Sequence, residues 1–86
     1  MNKERRKQIN EAADLFAKAY AMIEDVKSIL QEALDEEQEY YDNMPEGLQG
    51  GDKGDMAQSA ISALESAIDA MEGLDDVQGY IDEATA

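Results

Sequence analysis

Eighty-six residues carry 21 acidic side chains against seven basic ones, a net charge of −14, with neither cysteine nor histidine. That balance excludes nucleic acid and an anionic membrane leaflet as direct ligands and favours a basic partner, such as the nucleic-acid-binding surface of another protein. It leaves no disulfide framework and no thiolate or imidazole for catalysis, so the expectation is a small non-enzymatic domain without a cofactor.

From about residue 3 to 43 the chain reads as one uninterrupted helix. Ile9, Phe16, Ile23, Leu30 and Met44 recur on a seven-residue grid, and Ala12, Ala19, Val26, Ala33 and Tyr40 occupy a second one. Glu37 breaks the first series, as a polar residue that fixes helix register would. Leu15, Met22 and Ile29 widen the apolar face on one side, and Ala13, Tyr20, Leu34 and Tyr41 on the other. A face this broad suits a bundle of three or four helices better than a two-stranded seam.

Residues 44–54, MPEGLQGGDKG, contain the only proline and four of the six glycines. Pro45 disfavours helix at Met44, and the glycines weaken any helix beyond it, so this stretch is expected to connect two antiparallel helices. Pro45 to Gln49 has room for one short helical turn. The second helix is expected over about residues 55–83, with Asp55 as N-cap and Gln58 as its capping-box partner. Its apolar stripe runs through Ile61, Leu64, Ile68 and Met71, then slips in phase to Leu74, Val77 and Ile81. Gly73 sits at the slip and Gly79 weakens the helix further, which predicts a bend near Gly73 or a frayed last third. At about 1.5 Å per residue the first helix would outrun the second by some 15 Å and leave apolar surface uncovered. The expected fold is therefore all-α, a single domain formed by a long, coiled-coil-like antiparallel helical hairpin that dimerises into a four-helix arrangement. No apolar run reaches the length of a membrane span or a signal segment, which favours the cytoplasm.

Two acidic constellations stand out. Glu65, Asp69, Glu72, Asp76 and Glu83 are spaced i, +4, +7, +11, +18, and at about 100° per residue they share one narrow stripe of an uninterrupted helix. Almost no lysine or arginine is interspersed, although opposite charges four residues apart would stabilise the helix and like charges there weaken it. Carboxylates about 5–6 Å apart along a helix have roughly the spacing of successive phosphates in a nucleic-acid strand. The second constellation is Asp35, Glu36, Glu37, Glu39 and Asp42 around Tyr40 and Tyr41. Acid at a helix C-terminus opposes the macrodipole, and tyrosines are good interface anchors. All residues of the two constellations except Glu37 form the candidate partner-binding set. Asp42, Asn43, Asp52 and Asp55 lack the alternating oxygen ligands and closing glutamate of a calcium loop, so no metal site is expected.

The run EEQEYYDNMPEGLQGG followed by AISALESAIDAMEGL resembles a module of small acidic helical proteins of phages and prophages, over about residues 30–75. The resemblance implies a helical fold and a phage or prophage origin, without an assigned activity. By charge and helicity alone it extends to phage-borne DNA mimics and anti-CRISPR inhibitors. The functional expectation is an acidic interaction protein, a phage-encoded inhibitor occupying the cationic groove of a host nuclease or CRISPR-type effector. The alternative is a helical adaptor that binds through its apolar face, its charge serving only solubility.

Overall fold

The computed structural model describes residues 2–86 as two helical arms folded back on each other into a rod of 66 × 16 × 15 Å. The first arm is one helix, α1 (Lys3–Asp42). Asn2 caps it, its side-chain oxygen accepting the Arg5 amide at 2.8 Å and so satisfying one of the donors left over in the first turn. At the other end the Asn43 amide donates to the Glu39 carbonyl at 3.0 Å and the Met44 amide to the Tyr41 carbonyl at 3.1 Å. Pro45, which has no amide hydrogen, then stops the ladder.

Pro45 next starts α2 (Glu46–Gln49), its carbonyl accepting the Leu48 and Gln49 amides at 2.9 and 3.1 Å. The second arm continues as α3 (Asp52–Glu72), a 3₁₀ turn (Gly73–Asp76) and α4 (Val77–Ala84). The start of α3 departs from the sequence expectation. Gly51 occupies the cap position, and the Asp55 amide already donates to the Gly51 carbonyl at 2.9 Å, so Asp55 lies inside the first turn. Gln58, expected to complete a capping box, instead donates to the Tyr41 hydroxyl at 2.8 Å. One glycine of the connection serves packing and does not break the helix. Gly54 is buried against α2, and a methyl group built on it would overlap the carbonyl group and Cα of Gln49, the last at 2.7 Å. Helix conformation is kept there, and the missing side chain lets the connection fold flat onto α3.

The phase slip at Gly73 becomes a 3₁₀ turn. Such a turn advances about 120° per residue where an α-helix advances about 100°, so four residues rotate everything beyond them by roughly 80°. That rotation returns Leu74, Val77 and Ile81 toward the apolar face set by Ile61 and Ile68, and all three are half-buried. The amphipathic pattern slips because the backbone is wound tighter here.

On α1 the side facing the second arm is an unbroken 4–3 repeat: Ile9, Ala13, Phe16, Tyr20, Ile23, Lys27, Leu30, Leu34, Glu37 and Tyr41, every one half-buried. This spacing keeps one seam facing its partner along the whole rod. The core is thin. Among the described residues Ala57, Ile61 and Ile68 are the buried apolar side chains, and none is completely enclosed. The expected overhang of the first helix is absent, because the second arm begins earlier and continues to Thr85, whose carbonyl accepts the Arg6 guanidinium at 3.2 Å. Apolar surface is exposed along the flank of the rod instead: Leu15, Met22 and Ile29 are each about two-thirds exposed. No helix among the described residues is long and apolar enough to cross a membrane.

Candidate acidic interaction surface

The carboxylates of α3 project from the flank of the second arm. Glu65, Asp69 and Glu72 are exposed and share one face within α3. Asp76 and Glu83 are also exposed, but Asp76 is the last residue of the 3₁₀ turn and Glu83 lies beyond it. The same rotation of roughly 80° carries both away from the line. The single stripe expected of an uninterrupted helix is thus divided, with Glu65, Asp69 and Glu72 as its continuous part. By the same arithmetic Asp82, exposed on α4, rotates into line with them, although the spacing of an uninterrupted helix leaves it out. Its signal is present in the sequence: a helical wheel corrected for the slip at Gly73 moves Asp82 into the stripe as it moves Val77 into the core.

On α1, Asp35, Glu36, Glu39 and Asp42 are exposed, and Tyr40 is half exposed among them. Tyr41 takes a different part. Its carbonyl accepts Gln49 Nε2 at 3.0 Å and its hydroxyl accepts Gln58 Nε2, so it pins the connection and the start of α3 to the end of α1. Adjacent tyrosines point about 100° apart on a helix, and the apolar seam takes the one that continues its 4–3 repeat. The two acidic constellations adjoin, because the arms are antiparallel and a shallow groove lined by Gln38, Tyr41, Gln58, Ile61, Ser62 and Glu65 joins them.

Little positive charge offsets this surface. Among the described residues Lys27 and Glu24, three apart on α1 and 3.4 Å between charged atoms, form the one ion pair. No three carboxylates there gather closely enough to hold a metal ion. Glutamines supply several of the carboxylate partners: Gln31 donates to Asp35, Gln38 to Asp42 and Gln78 to Asp82, each four residues on and at 3.0–3.1 Å. These bonds orient carboxylates without neutralising them.

One carboxylate works inside the fold. Asp75, at the 3₁₀ turn, accepts the phenol of Tyr20 across the two arms. That hydrogen bond, with the negative charge of nearby Glu24 adding to it, holds the Tyr20 ionisation well above the ordinary tyrosine value. The neutral phenol is the form the folded state favours. Its contribution is complete below the unfolded tyrosine value of about 10 and is lost as pH rises above it. Replacing Asp75 with Asn should therefore bring the Tyr20 phenol to ionise at lower pH, read as tyrosinate absorbance with Tyr20→Phe as the reference. The melting temperature should also fall more steeply above pH 10 in the natural chain than in Tyr20→Phe. Equal slopes would show that the bond contributes nothing in water.

The fold and surface together define an elongated all-helical hairpin with an anionic flank. The chain matches no family model, no curated protein and no solved structure among those compared with it.

Proposed function

We propose that this protein is a non-enzymatic, phage-encoded inhibitor whose carboxylates take the place of nucleic acid in a cationic groove of a host nuclease or CRISPR-type effector, in the host cytoplasm. The observation that carries this reading is the density of uncompensated charge. A net charge of −14 spread along 66 Å is one negative charge per 4.7 Å (66/14). Duplex DNA carries one per about 1.7 Å and each of its strands one per about 3.4 Å. The rod is closer to a single strand, which favours a groove built for one strand over a duplex channel. Glu65, Asp69 and Glu72 are the core of the contact, with Asp35, Glu36, Glu39, Asp42 and Tyr40 extending it past the groove at Gln38. A self-associated form with four helices belongs to the same proposal.

The test is capture from host lysate on the immobilised protein, with a single-stranded oligonucleotide as competitor. The captured protein should be released by the oligonucleotide and by salt, since screening weakens exposed charge pairs. Reversing Glu65, Asp69 and Glu72 to Lys should leave helicity by circular dichroism unchanged, because all three are exposed. At about 1 kcal/mol per exposed pair, three lost contacts weaken binding by roughly 100-fold, and repulsion adds to that. A captured partner indifferent to the reversal and to the oligonucleotide would overturn the mimic. The adaptor reading would then stand, supported by the exposed apolar flank of α1.

A further inference from the structure

The helix α1 carries a second heptad seam that the hairpin does not use. Alongside the 4–3 series that packs on the second arm runs another: Ala12, Leu15, Ala19, Met22, Val26, Ile29 and Ala33. It alternates three and four residues without a break and lies about 100° around the helix from the first. Leu15, Met22, Val26 and Ile29 are 66, 69, 44 and 65% exposed. Scattered exposed apolar residues need no explanation, but a regular heptad row of them is an interface pattern.

We infer that this seam is the interface between two copies of the chain, packed antiparallel so that Arg5 of each copy meets Glu36 of the other. The inference rests on the self-association included in the proposed function and specifies its face, direction and register; it gives Glu36 and Tyr40 to the self-interface and leaves Glu65, Asp69 and Glu72 as the core of the partner contact.

Three features select a second copy. The first is area. A compact monomer of 9.5 kDa exposes about 5,000 Å², whereas this chain exposes 6365 Å². The surplus, roughly 1,300 Å², is what a thin rod exposes beyond a globule, and a stable complex covers about 800 Å² on each partner. The second is size complementarity. In an antiparallel pair whose facing residue numbers sum to 41, Ala12 faces Ile29, Ala19 faces Met22 and Leu15 faces Val26. Each facing pair therefore joins a small or β-branched residue to a longer one, which lets the two helices approach closely. The third is charge. Continued in both directions, the same seam reaches Arg5 at one end and Glu36 at the other, both exposed. The basic start, Lys3 to Lys7, comes against the acidic stretch Asp35 to Glu39, and Lys18 comes beside Asp25. A parallel pair would stack Arg5 on Arg5 and Glu36 on Glu36, where like charges repel. Lys3, Arg5 and Lys7, three of the seven basic residues in the chain, thereby acquire a function beside Arg6, which the hairpin already uses to hold Thr85.

Sedimentation and a distance measurement test this directly. At about 50–100 µM, above the micromolar-to-picomolar range of dissociation constants that standard-size interfaces span, the natural chain should sediment at twice its 9.5 kDa mass. Leu15→Gln with Ile29→Gln should raise the dissociation constant about 100-fold while circular dichroism stays helical, because both side chains are exposed in the single hairpin. A spin label at Glu4→Cys, unique in a chain without cysteine, reports direction without altering the seam. In the antiparallel register the two labels lie about 50 Å apart, from roughly 33 residues of axial offset at about 1.5 Å each. In a parallel pair they come within about 20 Å. A monomer at these concentrations would overturn both self-association and this interface, leaving the seam to a helix of another protein. A dimer that survives the double substitution would overturn this face alone, and a short label distance would overturn the direction.

Discussion

Placing a carboxylate at Ile61 or Ile68 is expected to unfold the protein outright. A domain of this size has a stability of about 4–13 kcal/mol, and the thin core argues for the lower end. Ile61 and Ile68, each 8% exposed, are two of the three buried apolar side chains among the described residues. Truncating either to Ala removes apolar contact worth about 2–5 kcal/mol. Aspartate removes the same contact and adds an unpaired charge at the junction of the arms, on a chain already at −14. Thermal melts monitored by circular dichroism should show Ile61→Asp and Ile68→Asp without a cooperative transition. Met56→Asp, at a side chain 72% exposed on the same helix, should stay within about 0.5 kcal/mol of the natural chain. Equal melting of all three would mean that the arms are held together elsewhere.

The glycines offer the second large effect, and its sign depends on position. Gly73 and Gly79 meet nothing within 4 Å where a methyl would stand, and neither has a positive φ. Alanine at each should stabilise the chain by about 0.5–1 kcal/mol, since glycine wastes backbone entropy in a helix. Gly54 has the same helical backbone, so propensity alone predicts the same gain. Contact with the Gln49 backbone reverses it. Gly54→Ala must push α2 off α3 and break the bond by which Gln49 holds the Tyr41 carbonyl, at a cost of about 1–3 kcal/mol. Chemical denaturation of the three single variants measures all three values. A stabilised Gly54→Ala would show that α2 does not dock in solution.

The contrast between these glycines marks where the sequence is readable and where it is not. Periodicity alone yields α1 nearly to its last residue, because an apolar seam repeating over forty residues has no alternative reading as strand or loop. It also places a discontinuity at Gly73, since Leu74, Val77 and Ile81 leave the phase of Ile61 and Ile68. What it does not supply is the remedy. Tight winding and bending both restore phase, and the contacts between the arms choose between them, among them Tyr20 with Asp75. The same limit applies to the acidic surface. Exposure of Glu65, Asp69 and Glu72 follows from the apolar face opposite. The displacement of Asp76 and Glu83, and the gain of Asp82, are signalled only by the slip at Gly73 and emerge once that slip is resolved as tighter winding, which no local residue specifies. Gly54 is illegible for a related reason: glycine in a polar segment resembles a breaker, and its close approach to Gln49 exists only after α2 has folded back.

The pairing of the two arms has a consequence for how the chain is assembled. Their contacts join residues of very different separation: Tyr41 with Gln58 closes 17 residues, whereas Arg6 with Thr85 closes 79. Closure entropy grows with the logarithm of loop length, so the outer contact made alone would cost about 1.4 kcal/mol more than the inner one. Once the inner contact exists, each further pair along the rod closes only a few new residues. The topology thus favours docking that starts at Tyr41 and travels outward, with the two ends of the chain the last to meet.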